Sequence, residues 1–185
     1  LTAGIMWHQV ERQSQEMGLK AVMTSFVPET EEKVELTKFE ITNTSDKAQT
    51  ITSTVAIPMY ARSASNIRDH RHVTSLLHRT FTVKNGIMIY PTLTFDERGH
   101  NKNKIFYGAL AKEEVNGEMV SPVSFCPVTE EFIGRGGNFE NPYYVVKNQP
   151  LPYKAGEEVD GYETVAAIRF ADCTLEPGET RTCLL

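Results

Sequence analysis

Apolar and polar positions alternate with a period of two along much of this chain, which is the signature of half-buried β-strands rather than of helices. Val34–Ile41 shows it with Val34, Leu36, Phe39 and Ile41, and the phase slips near Lys38, where a bulge is expected. Thr50–Ile57 alternates again and is rich in β-branched residues, so it reads as one strand. Gly4–Ser14 mixes apolar and polar positions without a helical stripe and reads as a strand that Gly18 ends. Leu19–Val27 is its return partner, and Pro28 with the acid-rich stretch after it makes an exposed turn. Val73–Val83, Ile87–Phe95, Ile105–Ala111, Tyr162–Phe170 and Thr180–Leu185 complete the strand-like segments.

The punctuation between them is that of hairpins. Asn43-Thr44-Ser45-Asp46, Val115-Asn116-Gly117-Glu118 and Glu176-Pro177-Gly178-Glu179 are turns by composition, and Asp96–Lys104 is a charged loop. Lys84-Asn85-Gly86 predicts a type I′ turn, because Asn-Gly tolerates the positive φ that such a turn needs. Regular alternation stops from Ser121 to Lys154, where five prolines predict a long loop region. Within it Thr129–Ile133 predicts a short helix with Thr129 as N-cap and Glu130 and Glu131 in its first turn. Roughly ten strands and almost no helix give an all-β fold: a large antiparallel two-sheet β-sandwich with long loops and one or two short helices at most. Residues 1–185 are read as a single sandwich domain. The chain opens at Leu1 and closes at Leu185 inside strand-like pattern, so a segment of a longer multidomain polypeptide is expected.

Charge and cysteine usage narrow the function. A net charge of −5 opposes nucleic-acid binding, which wants a basic footprint. No apolar run has the length of a membrane span, and no signal peptide opens the chain. Cys126, Cys173 and Cys183 fit no zinc spacing and no paired disulfide framework, which points to a reduced, cytoplasmic protein. Cys173 and Cys183 are expected as small buried hydrophobes in strands. Cys126, before Pro127, is expected in a loop with no histidine near it in sequence to activate it.

One stretch breaks the acidic trend. Ala61–Arg79 holds Arg62, Arg68, Arg71 and Arg79 against one acid, Asp69, with His70, His72 and His78 among them. So polar an excursion makes a poor core and a good surface, facing an anion, a sugar or another subunit, since arginine offers bidentate geometry to such groups. Its arginines also have partners in reach of the sequence, among them Asp96, Glu130 and Glu131. His70 and His72 would share a strand face and, with Asp69, offer metal ligands, but Arg68 and Arg71 beside them repel a cation, and no metal or organic cofactor is assigned. A second constellation is Phe132-Ile133-Gly134-Arg135-Gly136-Gly137. It lacks the spacing and the Lys-Ser/Thr of a phosphate loop, so it is read as a tight turn that presents Arg135 to a buried acid or a neighbouring domain. Tyr60, Phe106, Tyr107, Phe139, Tyr143, Tyr144 and Tyr153 are candidate platforms for sugar rings. Tyr143-Tyr144 is the best of them, while at least one of Phe106 and Tyr107 belongs in the core. Glu130 and Glu131 are adjacent and point in different directions, so no acid pair is placed across a cleft.

Three segments in this order resemble one known family. The strand–turn pattern through Ile41-Thr42-Asn43-Thr44-Ser45-Asp46, the polar excursion, and the Thr129–Gly136 turn TEEFIGRG are similar to the β-sandwich (supersandwich) domain of glycoside hydrolase family 94. Asn66–Arg79, NIRDHRHVTSLLHR, looks most like the 1,2-β-oligoglucan phosphorylases of that family. The resemblance implies a non-catalytic domain that packs on an (α/α)6 barrel in the same polypeptide. It implies inverting phosphorolysis of β-glucooligosaccharides by phosphate without a cofactor, and a possible homodimer. No catalytic residue is carried over, because nothing here matches the barrel. On this reading Arg62, Asn66, Arg68, Asp69, His70, Arg71, His72, Arg135, Tyr143 and Tyr144 are the candidates for substrate or interface contact. The alternative is a free-standing carbohydrate-binding module.

Overall fold

The computed structural model describes residues 1–61, 75–94, 101–115 and 117–185, and within them the protein is all-β. The first strands are β1 (Thr2–Gly4), β2 (Trp7–Ser14), β3 (Leu19–Phe26), β4 (Leu36–Asn43), β5 (Gln49–Ile51) and β6 (Thr54–Met59). Then come β7 (His78–Val83), β8 (Gly86–Pro91), β9 (Leu93–Thr94), β10 (Asn101–Lys102), β11 (Tyr107–Leu110), β12 (Lys112–Val115) and β13 (Glu118–Val120). The last are β14 (Ser124–Val128), β15 (Glu158–Asp160), β16 (Thr164–Arg169), β17 (Cys173–Leu175) and β18 (Thr180–Leu184); two short helices, α1 (Thr129–Ile133) and α2 (Tyr143–Val146), lie between β14 and β15. Every strand pairing among the described residues is antiparallel, as the hairpin punctuation predicts. Contacts divide the chain into two compact units. One is Leu1–Thr52, Ala111–Ser121 and Ala171–Leu185, and the other is Ser53–Leu110 with Pro122–Phe170.

The first unit carries a seven-stranded sheet in the order β1-β2-β3-β4-β18-β12-β13, with β17 paired to β5 separately. The expected opening strand is in fact a hairpin: β1 and β2 meet through Ile5-Met6, and Met6 takes φ 61° to close it. No bulge forms at Lys38. The β3–β4 register runs from Leu19↔Asn43 to Phe26↔Leu36 without a break. Residues Leu36–Thr42 are all only half-buried, so neither face of β4 demands apolar residues and a slip in the pattern forces no slip in register. The expected strand Thr50–Ile57 is two strands. It divides at Thr52-Ser53, β5 pairing with β17 and β6 with β16 in the other unit.

Several of the buried anchors of this unit are polar. Asn43 is fully buried at the end of β4. Its Nδ2 donates to the carbonyls of Lys47 (2.7 Å) and Leu175 (2.9 Å), and its Oδ1 accepts from the Ser45 N–H (3.0 Å) and the Ser45 hydroxyl (2.7 Å). The turn predicted at Asn43–Asp46 is thus built by one side chain that also reaches β17. Arg181 of β18 and Glu113 of β12 are 3% and 2% exposed and form an ion pair, with Nη2 2.6 Å from Glu113 Oε2. The same guanidinium donates to the carbonyls of Ala171 at 2.6 Å and Ile51 at 3.4 Å. Those residues stand within two or three positions of the points where the chain leaves the unit.

The second unit has a three-stranded sheet, β14-β16-β6, and a four-stranded sheet, β11-β8-β7-β15, with the β9–β10 pair beside them. All six residues of β16 are buried. Val165 and Ala167 pack into a cluster with Cys126, Phe132 of α1 and Leu151. On the opposite face Thr164 meets Thr80 of β7, hydroxyl to hydroxyl at 3.1 Å. A strand covered on both faces reads as a continuous apolar run, as Val165–Ile168 does. The β7–β8 hairpin turns on Lys84-Asn85, with Val83 paired to Gly86. Neither Asn85 nor Gly86 has positive φ, so the expected type I′ turn is not formed. Gly86 is needed for a different reason: a Cβ there would run into the Ala109 carbonyl and lie 2.9 Å from Leu110 Cα of the adjoining β11. His78, expected on a surface arm, is buried at the start of β7, and Arg79 pairs across strands with Asp160 at 3.3 Å.

Cutting one partner of the Glu113–Arg181 pair leaves a buried, uncompensated charge. Glu113→Ala should therefore lose about 3–5 kcal/mol in urea unfolding, and the joint change Glu113→Leu with Arg181→Met should lose clearly less. Equal losses for the single and joint changes would contradict this role for the pair.

Candidate functional site

The site grows out of β14, which composition had marked as loop. All five residues of Ser124–Val128 are buried, and they pair with β16 from Ser124↔Arg169 to Val128↔Thr164. The ladder shifts between Cys126 and Val128, so Pro127 sits at an irregularity where no ladder N–H is required. Cys126 is therefore a core residue. Burial pushes its thiol up to about 12, opposed only in part by a hydrogen bond with the Val128 backbone, and a thiol so held is no nucleophile. Tyr153 is fixed on the other side of β14 by a two-way bridge, with Phe125 N–H to Tyr153 O at 2.9 Å and the reverse at 3.0 Å.

β14 runs straight into α1. The N-cap position belongs to Val128 and no side chain caps the helix. Thr129, expected there, is already helical and gives its N–H to the Glu163 carbonyl at 2.9 Å, so the strand ladder rather than a hydroxyl starts this helix. Gly134 ends it at φ 81°, and a Cβ at Gly134 would lie 2.7 Å from Tyr143 Cβ, so only glycine lets α2 approach this closely. Asn138 Oδ1 then accepts the N–H groups of Glu140 (2.9 Å) and Asn141 (3.0 Å), and Pro142 opens α2. The chain after α2 is tied back by Arg169 of β16, which donates to Gln149 O and Asn148 Oδ1, both at 2.8 Å.

These elements enclose an open cleft of about 690 Å³. Tyr143 and Tyr144 of α2 contribute one wall, meeting edge to face at 5.4 Å, and Tyr153 and Tyr162 contribute from the chain before and after β15. Three carboxylates line it, Glu130 and Glu131 from α1 and Glu158 from β15, with Arg135 as the one cation among the described residues. Glu131 Oε2 accepts the Tyr153 hydroxyl at 3.0 Å. Burial, then that hydrogen bond, hold the Tyr153 phenol well above its ordinary range, and burial followed by the Glu131 charge raises Tyr144. A smaller hollow of about 230 Å³ shares Gly134, Arg135 and Tyr143 with the cleft and adds Asn141, Val146 and Lys147.

Of the residues singled out in the sequence, Arg135, Tyr143 and Tyr144 come together here. Arg135 is exposed and, among the described residues, reaches no buried acid. Arg62, Asn66, Arg68, Asp69, His70, Arg71 and His72 lie outside the described residues. Glu130 and Glu131, expected to diverge, border the same cleft because it wraps around the single turn that carries them. Tyr153, one of the candidate sugar platforms, joins them through its bridge to β14, whereas Glu158 and Tyr162 were missed as site residues and come in with β15 and its pairing to β7. Phe106 stands outside this site. It stacks on Tyr90 at 4.7 Å and is 56% exposed, and Tyr107 is half-buried, so neither is core. Cys183 is buried as expected, but Cys173 is half-exposed at a short sheet edge. Among the described residues no helix is long and apolar enough to cross a membrane.

A family model described as Glycosyl hydrolase 94, supersandwich domain, matches residues 6–185 of the chain. No curated protein matches it.

Two measurements check the chemistry of the site. A disulfide reagent at pH 8 should titrate one thiol quickly, that of Cys173, with Cys126 and Cys183 reacting only on unfolding; Cys173→Ser should remove the fast phase. A tyrosine with a raised native pKa stabilises the fold fully below its unfolded value near 10 and loses that contribution as pH rises further. Tyr153→Phe should accordingly flatten the fall in thermal stability above about pH 10, and an unchanged alkaline limb would contradict the placement of Tyr153.

Proposed function

The chain belongs to the glycosyl hydrolase 94 family as its supersandwich domain, and from that premise we propose that it is the non-catalytic sandwich of an inverting glycoside phosphorylase. In this reading the substrates are β-glucooligosaccharides, β-1,2-linked ones in particular, and inorganic phosphate. The bond-breaking acid lies on an (α/α)6 barrel in the same polypeptide, and this domain packs on the barrel and shapes the sugar cleft, with Arg135 at the border. No metal or organic cofactor takes part, and a homodimer is an expected assembly. Three free cysteines suit a reducing, cytoplasmic setting.

The observation that supports a non-catalytic role is the charge of the cleft. Phosphate as a nucleophile must be held by cations, yet Glu130, Glu131 and Glu158 outnumber Arg135 there. The lining repels the reagent that phosphorolysis consumes. The tyrosine cluster favours a second reading, a carbohydrate-binding module that works without a barrel.

Incubated alone with β-1,2-glucooligosaccharides and phosphate, the chain should release no glucose 1-phosphate. Deleting residues 1–185 from the barrel-bearing polypeptide should cut its turnover at least about tenfold, an effect of about 1.4 kcal/mol or more on the barrier. Turnover by the isolated chain would overturn the proposal, and full turnover after the deletion would favour the binding module instead.

A further inference from the structure

The cleft has a chemistry of its own that a supporting role does not use. Tyr143 and Tyr162 are 43% and 54% exposed, so each keeps ring surface open to a ligand. Tyr153 uses its hydroxyl internally, on Glu131. Glu158 lines the same space, and among the described residues its carboxylate has no hydrogen-bond or ion-pair partner. Aromatic faces take up the apolar C–H faces of a sugar ring, and ionised carboxylates accept from its hydroxyls.

We propose that this tyrosine–carboxylate cleft binds a neutral β-glucan chain directly, through ring stacking on Tyr143 and Tyr162 and hydroxyl donation to Glu158 and to the free oxygen of Glu131. The proposal rests on the reading that the domain serves a glucan-active enzyme and goes beyond it by giving the sugar a site within these residues. Size and shape favour a chain over a single group. The cleft of about 690 Å³ lies within the usual range for organic ligands, roughly 300–1,000 Å³. It runs on around Tyr143 into the hollow of about 230 Å³ that Asn141 and Lys147 line. A lone lysine or arginine side chain from a protein partner would suit the acids, but it would fill little of that length, and Arg135 and Lys147 at the far end would repel it. Sugar phosphates are turned away by the carboxylate surplus.

The test is calorimetric titration of this chain with a β-1,2-linked and a β-1,4-linked glucotetraose, alongside tetralysine. Saturable binding of a tetraose is expected, and raising salt from about 0.05 to 0.5 M should leave it unchanged, since no ion pair is formed with a neutral sugar. Tyr143→Ala and Tyr162→Ala should each weaken it about tenfold, near 1.4 kcal/mol. Tyr143→Phe, which keeps the ring, should stay within about twofold of the parent on the same scale. Both tyrosines are exposed enough for their variants to keep the unfolding midpoint, and Phe106→Ala, on the separate aromatic cluster, should bind as the parent does. No binding of either tetraose, binding indifferent to both tyrosine changes, or salt-sensitive binding of tetralysine in place of sugar would each overturn the proposal. If tetraose binding fails while the deletion of residues 1–185 still cripples the barrel-bearing enzyme, the site falls and the domain assignment stands. If binding survives and turnover is also full after the deletion, the site stands and the domain assignment falls.

Discussion

β16 is the strand on which the second unit is hung. Its six residues are all buried, so its middle, Val165–Ile168, is apolar, its polar ends Thr164 and Arg169 are hydrogen-bonded, and its backbone must be paired on both edges. β6 satisfies one edge and β14 the other. Once β14 is held there, α1 has to start where the ladder ends, because Val128 is still paired and Thr129 still gives its N–H to Glu163. Phe132 of α1 then drops into the cluster around Val165 and Ala167. The far end of β16 contributes Arg169, whose guanidinium secures the segment after α2. Two short helices of five and four residues, too short to be stable alone, are ordered by what they are tied to.

The first unit is held in another way. Asn43 and the Glu113–Arg181 pair occupy buried positions that apolar side chains would fill more cheaply. What the polar groups provide is direction. Asn43 has donors and acceptors only in fixed geometry, and it uses them to join its own turn to β17. Arg181 satisfies Glu113 and two backbone carbonyls at the places where the chain enters and leaves. A sheet of half-buried strands has weak register preferences, and directional bonds of this kind supply what its apolar pattern does not.

The cleft inherits its character from this construction. Gly134 allows α2 to lie against α1, and that closeness sets Tyr143 and Tyr144 on the wall opposite the strands. Glu131 is drawn toward Tyr153 by the hydrogen bond it accepts, and burial together with that bond raises the phenol above its ordinary range. An aromatic, net-anionic recess on a strand frame suits a neutral polyhydroxyl ligand and disfavours an anionic one.

Period-two alternation, turn composition and the order of three motifs were enough to reach an all-β antiparallel fold and the family, because side-chain alternation and turn chemistry are local. The turns at Asn43–Asp46 and Glu176–Glu179 and the glycine turn around Arg135 were legible for the same reason. What was not local was not legible. β14 contains a proline and no clean alternation, and only its burial beneath Tyr153 and against β16 makes it a strand. Thr50–Ile57 reads as one strand, and only the separate partners β17 and β16 divide it. Glu131, Tyr153, Glu158 and Tyr162 are spread over 32 positions of sequence, and their meeting in one cleft depends on the pairings of β14 and β15. The sequence by itself determined the kind of element only where the pattern is local, as in the alternating strands and the turns, and not in Ser121–Lys154, where β14 and α2 form. Tertiary structure alone decided which segments lie side by side, because that choice is made by burial and hydrogen-bond satisfaction across the whole chain.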